Sequence, residues 1–280
     1  MLLAPLHPRN RGFCWQDHPG PFRRLRPEQV QHYDAEGYLV LEDCFDAPTL
    51  RALIAEIDPH EAQVEAFLRT REDGRLFIAR AGEITFAPHL VLRSETLRGF
   101  CGGPLFQDLC HDLLGPDVRL YWDQAVYKKP GAGEPFPWHQ DNGYTYVEPQ
   151  QYLTCWVALS DATEENGCPW VLPGLHRFGT RLHRASELGW VCLENPGTAA
   201  VPAPVRAGGM VLFSSLTPHT TGPNRTGEVR KSYIVQFAPD GAVIHPDPAS
   251  PGREAPAAIA ADDPGRQFQI LAAGRPLASA

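Results

Sequence analysis

Trp138-His139-Gln140-Asp141 sets an imidazole and a carboxylate two residues apart, and eighty residues after His139 the pair Pro218-His219 supplies a second imidazole. On an extended segment, side chains two apart point to the same side, so His139 and Asp141 can reach one ion. A distant histidine then completes two imidazoles and one carboxylate on one face of an octahedron. That leaves three positions open, the coordination used by non-haem Fe(II) oxygenases. Arg230 follows His219 by eleven residues and offers a planar fork that meets a carboxylate bidentately.

His-x-Asp alone is weak, because among 11 histidines and 33 acidic residues the pair arises by chance. Pro135, Pro137 and Trp138 strengthen it by holding the segment extended, and the strand-like Met210-Val211-Leu212-Phe213-Ser214 would carry His219 inward. The competing reading of His219 is a surface histidine in a Thr/Pro/Gly-rich loop.

The elements that must position these residues follow from pattern. Residues 1–26 mix Pro, Arg and aromatics without period and read as an irregular arm. A helix is expected from Pro27 through Tyr33, closed by Gly37, followed by a strand Tyr38-Leu39-Val40-Leu41. A second helix follows Asp46, with Leu50, Leu53, Ile54 and Ile57 on one face, and is expected to stop at Asp58-Pro59. Another helix is expected around 94–113, after a short strand near Leu76 to Ala79.

From about Asp117 the chain turns to short β-like runs at 119–127, 152–159, 168–172, 210–214 and 231–238, with 28 Pro and 25 Gly to make turns. The fold class expected is mainly β with helices: a double-stranded β-helix, or cupin-like jelly roll, braced by N-terminal helices. The organisation is a single domain over 1–280, with mostly helical support over 27–116, the jelly-roll core and metal site over 117–240, and a C-terminal extension over 241–280. Pro246 to Pro264 reads as loop.

Composition narrows the function. Apolar residues are 43% and charged residues 21%, ordinary globular usage. Twenty-five Lys+Arg against 33 Asp+Glu give 25 − 33 = −8, and the pI of about 5.7 offers no field for phosphate backbones, so nucleic acid is not expected as a partner. No run of 18 apolar residues and no leader segment is found, so the chain is expected to be cytoplasmic and free of the membrane. Seven scattered cysteines without a Cys-x-x-Cys pair suit a reducing compartment.

The run His219-Thr220-Thr221-Gly222-Pro223-Asn224-Arg225-Thr226 with Arg230 resembles the phytanoyl-CoA dioxygenase family of Fe(II)- and 2-oxoglutarate-dependent oxygenases. The likeness extends to Glu28–Leu41, to Lys129-Pro130-Gly131, and to Asn166-Gly167-Cys168-Pro169-Trp170 with the Pro173-Gly174-Leu175-His176 turn, and so covers roughly 27–240. The resemblance implies His139, Asp141 and His219 as iron ligands. It implies Arg230 on the distal carboxylate of 2-oxoglutarate, with Thr221 donating to the same group and Arg225 the competing arginine. Thr154 and Trp156, on one face of a strand, would lie beside the co-substrate, with core packing the other reading of Trp156. Phe136 would pack against the co-substrate. Asn142, Tyr144, Tyr146 and the unexpectedly bulky Trp170 are placed to meet the organic substrate, an exposed aromatic loop being the other reading of the tyrosines. His176 is read as structural.

The function implied is hydroxylation, or a desaturation or rearrangement, of an unactivated carbon of a small metabolite, with Fe(II) as cofactor, 2-oxoglutarate and O2 as co-substrates, and succinate as by-product. Asp141 favours hydroxylation, since related halogenases replace that carboxylate to admit chloride. A monomer or homodimer is expected. The alternative is a cupin-like Zn or Mn hydrolase or isomerase using the same three ligands. A serine hydrolase is disfavoured because no Gly-x-Ser-x-Gly elbow occurs.

Overall fold

The computed structural model describes residues 2–246 and 256–277. Helix α1 (Pro27–Glu36) begins on proline and ends at Gly37, whose N–H returns to Tyr33 O. Gly37 is required twice. Its φ is +81°, and a Cβ there would lie 2.4 Å from His176 Nδ1. Strand β1 (Tyr38–Leu41) follows at once.

Helix α2 (Ala47–Arg69) is capped by Asp46, whose carboxylate accepts from Thr49 N at 2.9 Å. It does not stop at Asp58-Pro59 as the sequence suggests. Proline removes one donor, but Ile57, Glu61 and Leu68 keep the same face buried, and that continuing contact outweighs the lost bond. The expected helix over 94–113 is two helices, α3 (Glu95–Cys101) and α4 (Pro104–Leu113), broken at Gly102-Gly103. The strand expected near Leu76 is a tight hairpin, Arg75–Leu76 against Ala79–Arg80, turning through Phe77 at φ +54°. Strand β2 (Ile84–Pro88) continues from it.

The remaining strands that matter are β3 (Val118–Lys128), β4 (Leu153–Ala158), β5 (Pro169–Val171), β6 (Met210–Ser214), β7 (His219–Thr221) and β8 (Arg230–Pro239). All their pairings are antiparallel. The large sheet runs β1-β6-β4-β8-β3-β2 and on into the hairpin, while β5 and β7 form a short second sheet with Val201–Pro202. This is the jelly-roll architecture anticipated, with a long wall and a short one.

Strand β8 shows why its sequence reads as a continuous apolar run rather than an alternating one. Tyr233, Val235 and Phe237 pack into the cluster with Leu53, Ile57, Leu97 and Phe106 of the helices. Ile234 faces the roll's interior with Val126, Trp156 and Phe213. A strand covered on both faces buries both parities. The C-terminal extension also joins the wall, since Gln269–Ala272 pairs with the start of β3. Of the expected loop Pro246 to Pro264, residues 247–255 lie outside the described residues, and Ile259–Ala260 pairs with Val243–Ile244. Among the described residues, no helix is long and apolar enough to cross a membrane.

Candidate active site

His139 and His219 face each other across a two-residue antiparallel bridge, with His139 N–H to His219 O at 3.0 Å and the reciprocal bond at 2.8 Å. Each imidazole spends its Nδ1 proton on the carbonyl two residues back, Pro137 O at 2.8 Å and Thr217 O at 3.0 Å. That fixes the tautomer with Nε2 free and pointing inward. Nε2 of His139 lies 3.8 Å and Nε2 of His219 3.7 Å from Asp141 Oδ1. The three donor atoms lie within 4.8 Å of one another, close enough for one ion about 2 Å from each. Burial, then the neighbouring His219, holds the His139 pKa well below the usual value, which keeps the ring neutral and its lone pair available.

Asp141 is aimed by its other oxygen. Oδ2 accepts from Thr154 Oγ1 at 2.5 Å, and Thr154 in turn accepts from Gln236 Nε2 at 3.1 Å. The intervening Gln140 points into the protein. Its amide donates to Gly179 O and Leu216 O, its Oε1 accepts from Arg181 N, and its backbone N–H donates to His183 Nε2 at 2.9 Å. His183 packs so closely over the turn that a Cβ on Gly143 would lie 1.8 Å from its Cε1. Only glycine lets the chain pass there.

Deeper in the roll, Arg230 is 1% exposed. Its Nη1 donates to Ser232 Oγ at 2.7 Å and its guanidinium stands 5.0 Å from the Trp156 ring, but Nε and Nη2 are buried with no partner. The buried turn residue Asn224 sets the register. It donates to Lys128 O and Glu228 O and accepts from Thr226 N, which delivers Arg230 opposite Lys128 on β3. Lys128 is 2% exposed, with Nζ donating to Gly222 O at 2.5 Å, Thr221 O at 3.3 Å, Thr221 Oγ1 at 3.4 Å and Glu134 O at 3.5 Å. Burial pushes the Lys128 pKa down to about 7, with Arg230 adding to the shift, and burial brings Arg230 down to about 10. No Asp or Glu of the described residues forms an ion pair with either. Orphaned guanidinium donors beside Trp156, which packs in one cluster with Phe136 and Phe213 that flank His139 and His219, suit a keto diacid that would chelate iron at one end and present a carboxylate at the other.

A cavity of about 570 Å³ opens onto His139 and Asp141, walled by Phe77, Phe86, Tyr121, Trp122, Phe136, Tyr144 and Tyr152, with Gln124, Thr145 and Gln236 as its polar points. Tyr144 therefore lines the cavity, and Phe136 packs edge-on to His139 at 5.0 Å. Three of the residues expected to meet the substrate have other partners. Asn142 is fully buried and braces the loop, donating to Thr180 Oγ1 at 2.6 Å and accepting from Val147 N at 2.9 Å. Tyr146 stacks on His7 at 4.6 Å, away from the cavity. The single helical turn Asp141–Gly143 stands between the metal ligand and the two tyrosines. Trp170 lies on β5 opposite Thr220 and does not line the cavity. Thr154 serves the metal carboxylate, while Trp156, two residues on, is the one beside Arg230. His176 is buried on Asp34 O and is not among the three donors that converge.

Lys128, Gln236, Ser232, His183 and Gly143 escaped the sequence reading. Ser232 and Gln236 carried a usable signal, because they share the parity of Arg230 along one strand.

The model of the phytanoyl-CoA dioxygenase (PhyH) family matches residues 33–232. Methylphosphonate hydroxylase of Gimesia maris is 28% identical over 219 residues, 76% of this chain and 80% of the relative. Phytanoyl-CoA dioxygenase 1 of Oryza sativa subsp. japonica is 25% identical over 240 residues, 73% and 85% of the two chains. Among solved structures, the non-heme alpha-ketoglutarate-dependent carbocyclase SnoK from nogalamycin biosynthesis shares the fold, with a TM-score of 0.64 at 22% identity over 80% of this chain and 89% of that one. The match over most of the chain and the converged His139, Asp141 and His219 agree: the chain belongs to the phytanoyl-CoA dioxygenase family of Fe(II)- and 2-oxoglutarate-dependent oxygenases.

Proposed function

We propose that this enzyme hydroxylates an unactivated carbon of a compact, uncharged and largely apolar molecule, or carries out a desaturation or rearrangement of it. The supporting observation is the cavity above the ligands, whose lining holds aromatic rings and amides but neither lysine nor arginine. Methylphosphonate, the substrate named for one relative, is an anion and would find no cationic side chain there. A coenzyme A ester would need cations for its phosphates, and this cavity lacks them equally.

His139, Asp141 and His219 would hold the iron, and Arg230 the distal carboxylate of 2-oxoglutarate. Bound together with O2, these groups supply the oxidising power, and 2-oxoglutarate leaves as succinate and CO2. The chain's own residues do the positioning. Gln236 and Thr154 keep one oxygen of Asp141 toward the ion, and His183 and Gln140 hold the loop between the ligands. Phe136, Tyr144 and Phe77, which is 67% exposed at the rim, exclude water and aim the substrate's C–H bonds at the ligands. With Asp141 filling the third ligand position, the hydroxylation outcome is favoured over halogenation.

Protein purified without oxygen and then given Fe(II), ascorbate, 2-oxoglutarate and O2 should form succinate, faster with neutral ring compounds than with methylphosphonate. Asp141→Ala should abolish it. Succinate formation indifferent to that substitution would overturn the assignment, and preferential stimulation by methylphosphonate would overturn the substrate class.

A further inference from the structure

Two buried cations stand side by side in this roll, and no Asp or Glu of the described residues forms an ion pair with either. Arg230 and Lys128 are register partners on neighbouring strands, their side chains enter the same interior, and each is almost wholly shielded from water. Bringing like charges together in a poorly solvated place costs free energy unless an anion joins them. The carbonyl oxygens of Glu134, Thr221 and Gly222 receive the Lys128 protons but do not neutralise its charge. Arg230 keeps two donors unpartnered.

We propose that Lys128 is the second cation of the 2-oxoglutarate seat, gripping the distal carboxylate together with Arg230 so that the site selects an oxo diacid over an oxo monoacid. The proposal rests on the reading of Arg230 given above. Thr221 Oγ1, 3.4 Å from Lys128 Nζ, places a hydroxyl at the same spot, so an arriving carboxylate meets an ammonium, a guanidinium and a hydroxyl. Burial and Arg230 push the Lys128 pKa down to about 7, and a carboxylate beside it would favour the charged form. Lys128 has a second duty that follows from the same bonds. Glu134 lies on the segment leading to His139, and Thr221 and Gly222 on the segment leaving His219, so one ammonium ties together the two stretches that carry the imidazoles.

The two duties separate in a binding experiment that needs no turnover. Mn(II)-loaded protein is titrated calorimetrically with 2-oxoglutarate and with 2-oxopentanoate, which has the same keto acid head and a methyl group where the distal carboxylate would be. In Lys128→Met the 2-oxoglutarate Kd should rise at least about tenfold, the worth of one charge-assisted hydrogen bond, while the 2-oxopentanoate Kd moves less than about twofold. Equal losses for both ligands would make Lys128 a tie alone and end the proposal, as would unchanged 2-oxoglutarate binding.

Arg230→Met is measured beside it. If that variant loses 2-oxoglutarate and Lys128→Met does not, only the lysine's part fails. If neither loses it, the reading of Arg230 falls first. Should Lys128→Met not fold, a structure of the wild-type Mn(II) complex decides. Nζ about 3 Å from the distal carboxylate supports the proposal, and a carboxylate held by Arg230 alone, out of the lysine's hydrogen-bonding reach, overturns it.

Discussion

The two ends of the site are built on opposite terms. Around the metal ligands nearly every polar group is already satisfied: each imidazole has its carbonyl, Asp141 its threonine, Thr154 its glutamine, and Gln140 bonds on every side. Around Arg230 and Lys128 the opposite holds, with buried charge left unpaired and donors left without acceptors. The difference bears on where binding free energy would come from. On the reading proposed above, ligand orientation is prepared in advance by the fold, whereas the charged end would be completed by an arriving anion.

Arg230→Met gives the sharpest break in that contrast. It should weaken 2-oxoglutarate binding roughly a hundredfold, the worth of two charge-assisted hydrogen bonds, yet leave the thermal midpoint of the ligand-free protein unchanged or raised, because a buried unpaired charge has been removed. A large drop in that midpoint would show that the guanidinium is structural. Thr154→Val should act the other way about. Iron affinity falls about tenfold as Asp141 loses its orienting donor, with 2-oxoglutarate binding to the metal-saturated protein little altered. Iron affinity equal to wild type would mean the carboxylate needs no such brace.

The smallest effect involves neither end. His176, fully buried, has its pKa pushed down to about 4 by burial, below the roughly 6.5 of an unfolded chain. Its contribution to stability is therefore complete above pH 6.5 and is lost as pH falls toward about 4, because the unfolded state binds the proton more readily. Melting curves between pH 7 and 5 should show the decline, and His176→Asn should flatten it. A slope unchanged in that variant would assign the effect to other groups.

The metal end was largely legible in the sequence because its information is local. His139 and Asp141 announce themselves by residue type and spacing, and the turn leading from His219 to Arg230 by its own chemistry. What stayed hidden depends on register. Nothing in the string Tyr127-Lys128-Lys129 says which lysine turns inward. The answer comes from β3 pairing with β8, in which Asn224 and Thr226 set the offset. Tyr146 stacks on His7 instead of facing the cavity, a contact with the N-terminal arm that no local pattern announces, and helix α2 runs through Pro59 because tertiary burial outweighs a local breaker. Strands β3, β4, β5, β6 and β8 end within one residue of the expected runs, because their faces are patterned by burial, whereas Ile84–Pro88, His219–Thr221 and Gln269–Ala272 are not anticipated as strands. Gly143 could not be read as essential without His183 pressed against it.

Anaerobic titration of the Fe(II)-loaded enzyme with 2-oxoglutarate, followed by visible absorbance, puts the convergence of three ligands and a buried anion seat to the proof. A charge-transfer band should grow and saturate, and should be absent in Asp141→Ala and reached only at far higher 2-oxoglutarate in Arg230→Met. Should no band form in the wild type, or should an equal band form at equal concentration in Arg230→Met, the ligands and the arginine do not serve one keto diacid.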